Sequence, residues 1–207
     1  MNPAPVAIVD YGMGNLRSVQ NAVEHLGGRA VFVSEPLQLR QYQKIILPGV
    51  GAFFQAIACL RETGLDVALN ERRDAGAHIL GICLGMQLMC TVSEEDGIHG
   101  GLDWISAKVS RFPAESVLPV PHVGWNGVDF LREDPLFANL ESGSDAYFVH
   151  SYRVECNNLS DVIATTDYGL RFDSIIQRGN IRGIQFHPEK SQGFGLSMIR
   201  NYLELPC

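Results

Sequence analysis

The first half of the chain alternates short apolar runs with segments in which apolar residues recur every three or four positions. The runs predict strands that are buried on both faces, at residues 6–9, 29–33, 44–47 and 78–82. The recurring segments predict helices at 16–26, at 84–89, and along one longer stretch with Ala56, Leu60, Leu65 and Leu69 inward. Strands and helices that alternate at these lengths form βαβ units with a parallel sheet.

The second half changes to short β-like runs that are separated by turn residues. These runs predict hairpins, at 102–112, 147–154, 162–166 and 174–177. A buried strand at 181–186 and an amphipathic helix at 195–203 then close the chain. We therefore expect an α/β fold, with a mostly parallel central sheet flanked by helices and an antiparallel hairpin region added at its edge. Residues 1–207 are expected to form a single domain.

Composition narrows the classes of function. With 207 residues, of which 46% are hydrophobic and 19% charged, the chain can bury a core, so overall disorder is excluded. The net charge of −7 argues against a nucleic-acid partner. The sequence has neither an apolar run of about 20 residues nor the start of a signal peptide, so no membrane is expected. The irregular spacing of the five cysteines predicts no disulfide framework and no metal site, and we expect a cytoplasmic protein.

One cysteine stands between two glycines, where the fourth predicted strand meets a helix. Gly81-Ile82-Cys83-Leu84-Gly85 has the form G-x-C-x-G, the cysteine counterpart of the G-x-S-x-G nucleophile elbow. Such a turn lifts the nucleophile above the sheet, and free amides at the helix N-terminus favour a thiolate and hold an oxyanion. The pattern alone leaves open a buried cysteine in a glycine-rich turn.

A histidine and a carboxylate follow the strand at 181–186. In an extended segment, residues two apart point the same way, so Glu189 is placed to orient His187. Because both this segment and Cys83 follow strands of a parallel sheet, they are expected to meet at its carboxyl edge. Nucleophile, base and orienting carboxylate together predict a cysteine hydrolase or transferase, whereas His187-Pro188-Glu189 alone would also suit a surface turn.

Two glycine-rich turns follow other predicted strands. Residues 48–51, Pro-Gly-Val-Gly, have the backbone freedom that an oxyanion hole requires, although a plain turn into a helix is also consistent. Residues 11–15 look at first like a dinucleotide-binding loop. They lack the third glycine of G-x-G-x-x-G, and no acidic residue follows at the expected spacing, so no nucleotide or other cofactor is expected.

The segments around these residues resemble a known family. Residues 81–87, Gly-Ile-Cys-Leu-Gly-Met-Gln, and residues 185–189, Gln-Phe-His-Pro-Glu, are similar to the class I (triad) glutamine amidotransferases. Four further segments narrow the likeness to glutaminase subunits of imidazole glycerol phosphate synthases, at residues 10–16, 48–53, 121–126 and 187–192. The resemblance runs from about Val6 to about Leu203, and it implies the flavodoxin-like fold of that family.

The resemblance implies a role for each matching residue. Cys83 is expected to attack the γ-carboxamide of L-glutamine, with His187 transferring protons and Glu189 orienting His187. The oxyanion is expected to bind the amide of Leu84 and an amide of the loop, from Val50 or Gly51, and we assign it to Val50. Four residues are expected to position the amino-acid end of the substrate, Gln87, His150, Ser151 and Tyr152.

The resemblance also implies a partner. In the family, ammonia passes to a TIM-barrel synthase subunit, which forms imidazole glycerol phosphate and an aminoimidazole carboxamide ribonucleotide in histidine biosynthesis. Asn15, Trp125 and Asn126 match segments that face this subunit, so a heterodimer with coupled activity is expected. Residues 171–176 also resemble paralogues that supply ammonia to surface-sugar pathways. A deglycase-like or chaperone-like relative and a peptidase of the same fold are further alternatives.

Overall fold

The computed structural model describes residues 4–113 and 118–206. Strands and helices alternate in the first half, as the sequence pattern predicts. The strands are β1 (Val6–Val9), β2 (Ala30–Val33), β3 (Lys44–Gly49) and β4 (His78–Cys83). The helices are α1 (Leu16–His25), α2 (Pro36–Leu39), α3 (Phe53–Thr63), α4 (Leu65–Asp74) and α5 (Leu84–Leu88).

The second half is built mainly of strands. They are β5 (Cys90–Ser93), β6 (His99–Gly100), β7 (Ile105–Arg111), β8 (His122–Phe130), β9 (Ser144–His150), β10 (Tyr152–Cys156), β11 (Val162–Asp167), β12 (Arg171–Arg178) and β13 (Ile181–Ile184). A final helix, α6 (Gln192–Glu204), follows β13. Within the described ranges, none of the helices combines the length and the apolar composition needed to cross a membrane.

The sheet has a parallel half and an antiparallel half. Strands β2, β1, β3, β4 and β13 lie side by side in that order, and each neighbouring pair is parallel. This is the strand order of flavodoxin-like sheets. Beyond β13, strands β12, β10 and β7 continue the sheet with antiparallel pairing. The predicted α/β fold, with hairpins added to a parallel sheet, is confirmed.

The core lies on both faces of the parallel half. Along β3, Ile45 and Leu47 pack against residues of α3 and α4, whereas Ile46 between them packs against residues of α1 and α6. All three side chains are fully buried. Because alternate residues of a strand point to opposite faces, the unbroken apolar run is explained by the helix layers that cover both faces.

Two predicted elements are wrong in their extent. The single helix carrying Ala56 to Leu69 is two helices, because Gly64 adopts a left-handed conformation with φ 72° that ends α3 and starts α4. The strand predicted at 147–154 is also two strands, which meet at Ser151. The chain changes neighbours there, since β9 pairs with β8 whereas β10 pairs with β7 and β12.

Strand β8 was not predicted at all. Its first half carries Gly124 and Gly127, which weaken the strand signal in the sequence. In the structure, β8 pairs along its length with β9, with His122 opposite His150 and Trp125 opposite Tyr147. This hairpin stands next to the carboxyl end of the parallel strands, because the backbone amide of His187 donates to the Tyr147 carbonyl at 2.9 Å.

Candidate active site

Cys83 lies at the tight turn between β4 and α5, as predicted. Its backbone has φ 54° and ψ −108°, a conformation that residues other than glycine rarely adopt. A Cβ on Gly85 would stand 1.8 Å from the Leu47 carbonyl oxygen, and one on Gly81 would stand 2.7 Å from the backbone of Gly85. The glycines on either side of Cys83 are therefore required by the packing of the turn against β3, and the segment has the geometry of a nucleophile elbow.

His187 and Glu189 meet Cys83 at the end of the neighbouring strand. The Nδ1 atom of His187 lies 2.8 Å from Oε1 of Glu189, and the two side chains are 3% and 1% exposed. The imidazole and Cys83 line the same cavity. The backbone at His187 is fixed on its other side, because the Ser191 hydroxyl donates to the His187 carbonyl at 2.7 Å. The structure thus brings the three residues predicted to form the triad to one place, with His187 between Glu189 and the cavity that Cys83 lines.

The electrostatics of this cluster favour a protonated imidazole. Burial opposes the charged form of His187, but hydrogen bonds to Cys83 and Glu189 and the negative charge on both partners outweigh it. Together they raise the pKa of His187 from 6.5 to about 9. A thiolate beside an imidazolium is the arrangement in which cysteine nucleophiles are activated.

A cavity of about 490 Å³ opens beside Cys83. It is lined by all the residues predicted to bind the oxyanion or the substrate, namely Val50, Gly51, Leu84, Gln87, His150, Ser151 and Tyr152. Cys83 and His187 line the same cavity. The structure therefore brings these predicted site residues to one place, although they come from separate strands, a helix and several turns.

A hydrogen bond from Tyr11 anchors the chain where β3 leads into the loop that follows it. The Tyr11 hydroxyl donates to the Pro48 carbonyl at 2.9 Å, and a Cβ on Gly49 would stand 2.5 Å from that hydroxyl oxygen. Val50, the next residue, is 41% exposed, and Gly51 has φ 102°. The chain is therefore anchored up to Pro48, and the residues that follow form the wall of the cavity.

Hydrogen bonds fix the side chains that are predicted to position the substrate. The side-chain Nε2 of Gln87 donates to the Tyr152 carbonyl at 3.1 Å and to Oε1 of Gln185 at 3.2 Å. The Nδ1 of His150 donates to the same Tyr152 carbonyl at 2.8 Å. With both of its N–H groups used, Gln87 keeps only its carbonyl oxygen to offer to a ligand.

The residues predicted to face a partner have different surroundings. Trp125 is 48% exposed and stacks edge-on against Tyr147, with 5.9 Å between the ring centroids. Asn126, by contrast, uses its amide within the chain, donating to the Asp167 carbonyl at 2.8 Å. Asn15 caps α1 and lines a small cavity beside Glu189. Asn15 and Trp125 are thus exposed, whereas Asn126 is only partly exposed.

Three residues of the site were not identified from the sequence. Glu95 and Lys190 line the cavity and bring it a carboxylate and an ammonium group. Glu95 lies in a polar loop with no signal in its pattern, and Lys190 follows Glu189 directly. Gln185, which contacts Cys83, stands in the segment that carries the family resemblance but was given no role there. Across the described residues, no three His, Cys, Asp or Glu side chains cluster as a metal site.

Comparisons with known proteins agree with this geometry. The family model described as glutamine amidotransferase class-I matches residues 7–204. The imidazole glycerol phosphate synthase subunit HisH of Moorella thermoacetica is 48% identical over 201 residues, covering 97% of this chain and 95% of that protein. The HisH subunit of Chlorobium chlorochromatii is 47% identical, covering 97% of this chain and 100% of that protein.

Solved structures agree on the fold. The structure of PurLQS from Thermotoga maritima superposes with a TM-score of 0.77 at 17% identity, covering 97% of this chain and 98% of that chain. A glutamine amidotransferase from Thermotoga maritima superposes with a TM-score of 0.65 at 15% identity, covering 98% and 83%. With the family model spanning nearly the whole sequence, the chain belongs to the class I glutamine amidotransferases, in the group of the imidazole glycerol phosphate synthase HisH subunits.

Proposed function

We propose that this chain hydrolyses L-glutamine to glutamate and ammonia through a γ-glutamyl thioester on Cys83, as the glutaminase of histidine biosynthesis. The observation that carries the proposal is that Cys83 and His187 line one cavity, while Glu189 lies 2.8 Å from the His187 imidazole. A strained elbow, a buried base and a buried carboxylate together form a nucleophilic triad. These assignments of Cys83, His187 and Glu189 are part of the proposal.

The reaction follows from the positions of these groups. His187 takes the thiol proton, and the Cys83 sulfur adds to the carbonyl carbon of the γ-carboxamide of glutamine. Amides of Leu84 and of the loop at Val50 or Gly51 hold the oxyanion that forms. When the C–N bond breaks, His187 gives its proton to the leaving nitrogen, which departs as ammonia. A water molecule, activated by His187, then cleaves the thioester and releases glutamate.

The charges that line the cavity suit a free amino acid. Among the described lining side chains, Glu95 supplies the one carboxylate and Lys190 the one ammonium group. Oε2 of Glu95 accepts from the Phe53 amide at 2.7 Å, which fixes its direction. We infer that Glu95 and the Gln87 carbonyl oxygen receive the α-ammonium group of glutamine, while Lys190 attracts its α-carboxylate. His150, Ser151 and Tyr152 form the wall against which this end of the substrate lies.

A partner subunit is the second part of the proposal. Apolar side chains of β8 and β9 stand exposed beside the cavity, with Val123 53%, Trp125 48% and Val149 36% exposed, and Val149 lines the cavity itself. We propose that a TIM-barrel synthase subunit covers this face in a heterodimer, with Asn15 and Asn126 close to the contact. Ammonia would then reach the lyase reaction of the partner without release.

Coupling and location complete the proposal. We propose that the partner, when it holds its nucleotide substrate, turns a loop amide at Val50 toward the oxyanion, so that the glutaminase is allosterically stimulated. We place the complex in the cytoplasm, where histidine biosynthesis would supply the acceptor. The alternative of a surface-sugar paralogue shares the glutaminase chemistry and differs only in the acceptor of the ammonia.

The proposal is tested by trapping the covalent intermediate. Wild-type protein and a Cys83→Ala variant are mixed with glutamine, in the presence of the cognate barrel subunit, and quenched in acid for intact-mass analysis. We expect a γ-glutamyl adduct on the wild-type chain and none on the variant. An adduct at another residue, or hydrolysis that survives Cys83→Ala, would overturn the assignment of the nucleophile.

A further inference from the structure

Gln185 occupies a position that the mechanism above leaves unused. Strands β4 and β13 are parallel, with Ile82 paired to Ile184, so the next position along β13 falls beside Cys83. That position is Gln185, whose side chain is fully buried. Burying a side-chain amide costs free energy unless the amide is hydrogen-bonded. The location of this amide beside the nucleophile suggests that one of its hydrogen bonds has a chemical use.

The neighbouring hydrogen-bond partners allow only one orientation of the Gln185 side-chain amide. The Tyr152 backbone carbonyl can only accept, so the group of Gln87 that faces it at 3.1 Å must be the NH₂ group. The same NH₂ group lies 3.2 Å from Gln185, which must therefore present its carbonyl oxygen, Oε1. The Gln185 NH₂ group is left on the other side, where Nε2 lies 3.7 Å from the Cys83 Sγ atom.

We propose that Gln185 is a further catalytic residue, whose amide donates to Cys83 Sγ and stabilises the thiolate, and that Gln87 orients this amide. This inference rests on the proposed role of Cys83 as nucleophile. A thiolate accepts hydrogen bonds more strongly than a thiol does, so an N–H group aimed at the sulfur favours the charged form. His187 then bears the proton on one side of the sulfur, and Gln185 donates from another.

The arrangement gives Gln87 two tasks. Its NH₂ group spans from the Tyr152 carbonyl to Gln185, and its carbonyl oxygen remains for the substrate. The wall that binds the amino-acid end of glutamine is thereby joined to the sulfur by three hydrogen bonds in series, from the Tyr152 carbonyl through Gln87 and Gln185. A purely structural amide would fill the same space and satisfy its neighbours, but its loss would not change the acid–base behaviour of the sulfur.

The test measures the reactivity of the thiol without any substrate. The full-length chain is treated with iodoacetamide between pH 5 and 10, and labelling of the peptide that contains Cys83 is followed by mass spectrometry. In Gln185→Met, which keeps the size but loses the donor, we expect labelling near pH 7 to slow by about tenfold. The midpoint of the pH profile should move to higher pH. Unchanged labelling in a folded variant would overturn the proposal.

A second variant keeps the test decisive if Gln185→Met fails to fold. Gln87→Leu leaves Gln185 in place but removes the group that orients it, and we expect a smaller slowing in the same direction. A wild-type profile in Gln87→Leu, when Gln185→Met cannot be measured, would also overturn the proposal. The matched control is Ser174→Ala. The Ser174 backbone carbonyl accepts from the backbone N–H of Gln185, and this bond is kept in the variant. The buried Ser174 hydroxyl, which the variant removes, has no hydrogen-bond partner among the described residues. The profile of this variant should equal that of the wild type.

This experiment separates the two proposals. Labelling needs neither glutamine nor the barrel subunit, and Cys83→Ala gives the background. A profile that shifts in Gln185→Met, in a protein that releases no glutamate, would support the role of Gln185 and contradict the glutaminase. Glutamate release with an unshifted profile would do the reverse.

Discussion

Gly85 shows how closely the nucleophile turn is packed. A Cβ at this position would stand 1.8 Å from the Leu47 carbonyl oxygen, so either β3 or the elbow would have to move. We expect Gly85→Ala to lower the free energy of unfolding by about 3 kcal/mol and to abolish glutamine hydrolysis, as measured by urea denaturation and glutamate release. Gly193→Ala is the control, since nothing lies within 4 Å of a Cβ there. Equal stability of the two variants would contradict this reading of the turn.

The acid–base behaviour of His187 gives a second prediction at the residue scale. Its pKa of about 9 means that the imidazolium, to which we assign protonation of the leaving nitrogen, is lost as the pH rises through 9. We therefore expect kcat to fall above about pH 9. Glu189→Gln removes one of the charges that raise this pKa, so the alkaline fall should begin at lower pH. An identical pH profile in Glu189→Gln would show that Glu189 does not act on His187.

The raised pKa of His187 also makes the stability of the folded chain depend on pH. The folded-state pKa lies above the ordinary value of 6.5, so the stability that His187 contributes is fully present below pH 6.5. It is lost as the pH rises toward 9. Urea denaturation at pH 6 and pH 9 should therefore show a smaller loss in His187→Asn than in the wild type.

Single residues were the easiest part of the site to predict. Cys83, His187 and Glu189 each stand in a short segment whose pattern has a chemical meaning, and the structure brings them to one place. Glu95 could not be found in this way, because its position depends on how a polar loop folds back to α3, where it accepts from the Phe53 amide. Contacts between residues distant in sequence are set by packing, which no local pattern records.

At the scale of elements, we propose that turnover depends on the loop after β3. Val50→Pro removes the amide that we assign to the oxyanion, whereas Val50→Ala keeps it. We expect kcat to fall by about 100- to 1,000-fold in Val50→Pro, with KM changed little, and to stay near the wild-type value in Val50→Ala. A small effect in both variants would move the oxyanion donor to Gly51 or elsewhere.

The hairpin of β8 and β9 buries two neutral histidines. Nδ1 of His122 lies 3.1 Å from Nε2 of His150, inside a cluster of aromatic rings. Burial lowers the pKa of His122 to about 4 and, as the largest cause, that of His150 to about 3. Because the unfolded chain takes up protons near pH 6.5 and the folded chain does not, stability should fall as the pH drops from 6.5 toward 4.

A variant isolates this contribution from that of the carboxyl groups. In His122→Gln, the difference in the free energy of unfolding between pH 7 and pH 4.5 should be smaller than in the wild type. Urea denaturation at the two pH values measures it. An equal difference in both proteins would mean that His122 is protonated in the folded state.

The elements themselves were predicted where the pattern was strong. The runs of β1, β3 and β4 are apolar without interruption because helices cover both faces of the sheet, and such runs are recognisable. The pattern failed at β8, where glycines interrupt the alternation, and at Gly64, where a left-handed residue divides an otherwise continuous helical pattern. These two failures concern glycine, whose effect depends on conformation rather than on hydrophobicity, whereas the break of the predicted strand at Ser151 reflects a change of neighbouring strands.

At the scale of the whole molecule, the site lies where the parallel half of the sheet meets the antiparallel half. The parallel strands provide Cys83 and the loop at Val50, and the β9–β10 junction provides the wall at Ser151. The hydrophobic pattern predicted both halves, but that the β9–β10 junction reaches the site of Cys83 was expected only from the family resemblance, since hairpin partners far apart in the chain carry no shared pattern. We propose that the two halves act as a single catalytic domain, with the exposed face of the β8–β9 hairpin turned to the partner.

The most direct measurement is glutamate release from glutamine, by the chain alone and with the cognate barrel subunit and its nucleotide substrate. The account predicts low release alone and strong stimulation by the loaded partner, with both lost in Cys83→Ala. Stimulation that ignores the histidine-pathway nucleotide would redirect the acceptor to another pathway. No release under any of these conditions, from a folded chain in complex with its partner, would contradict the account.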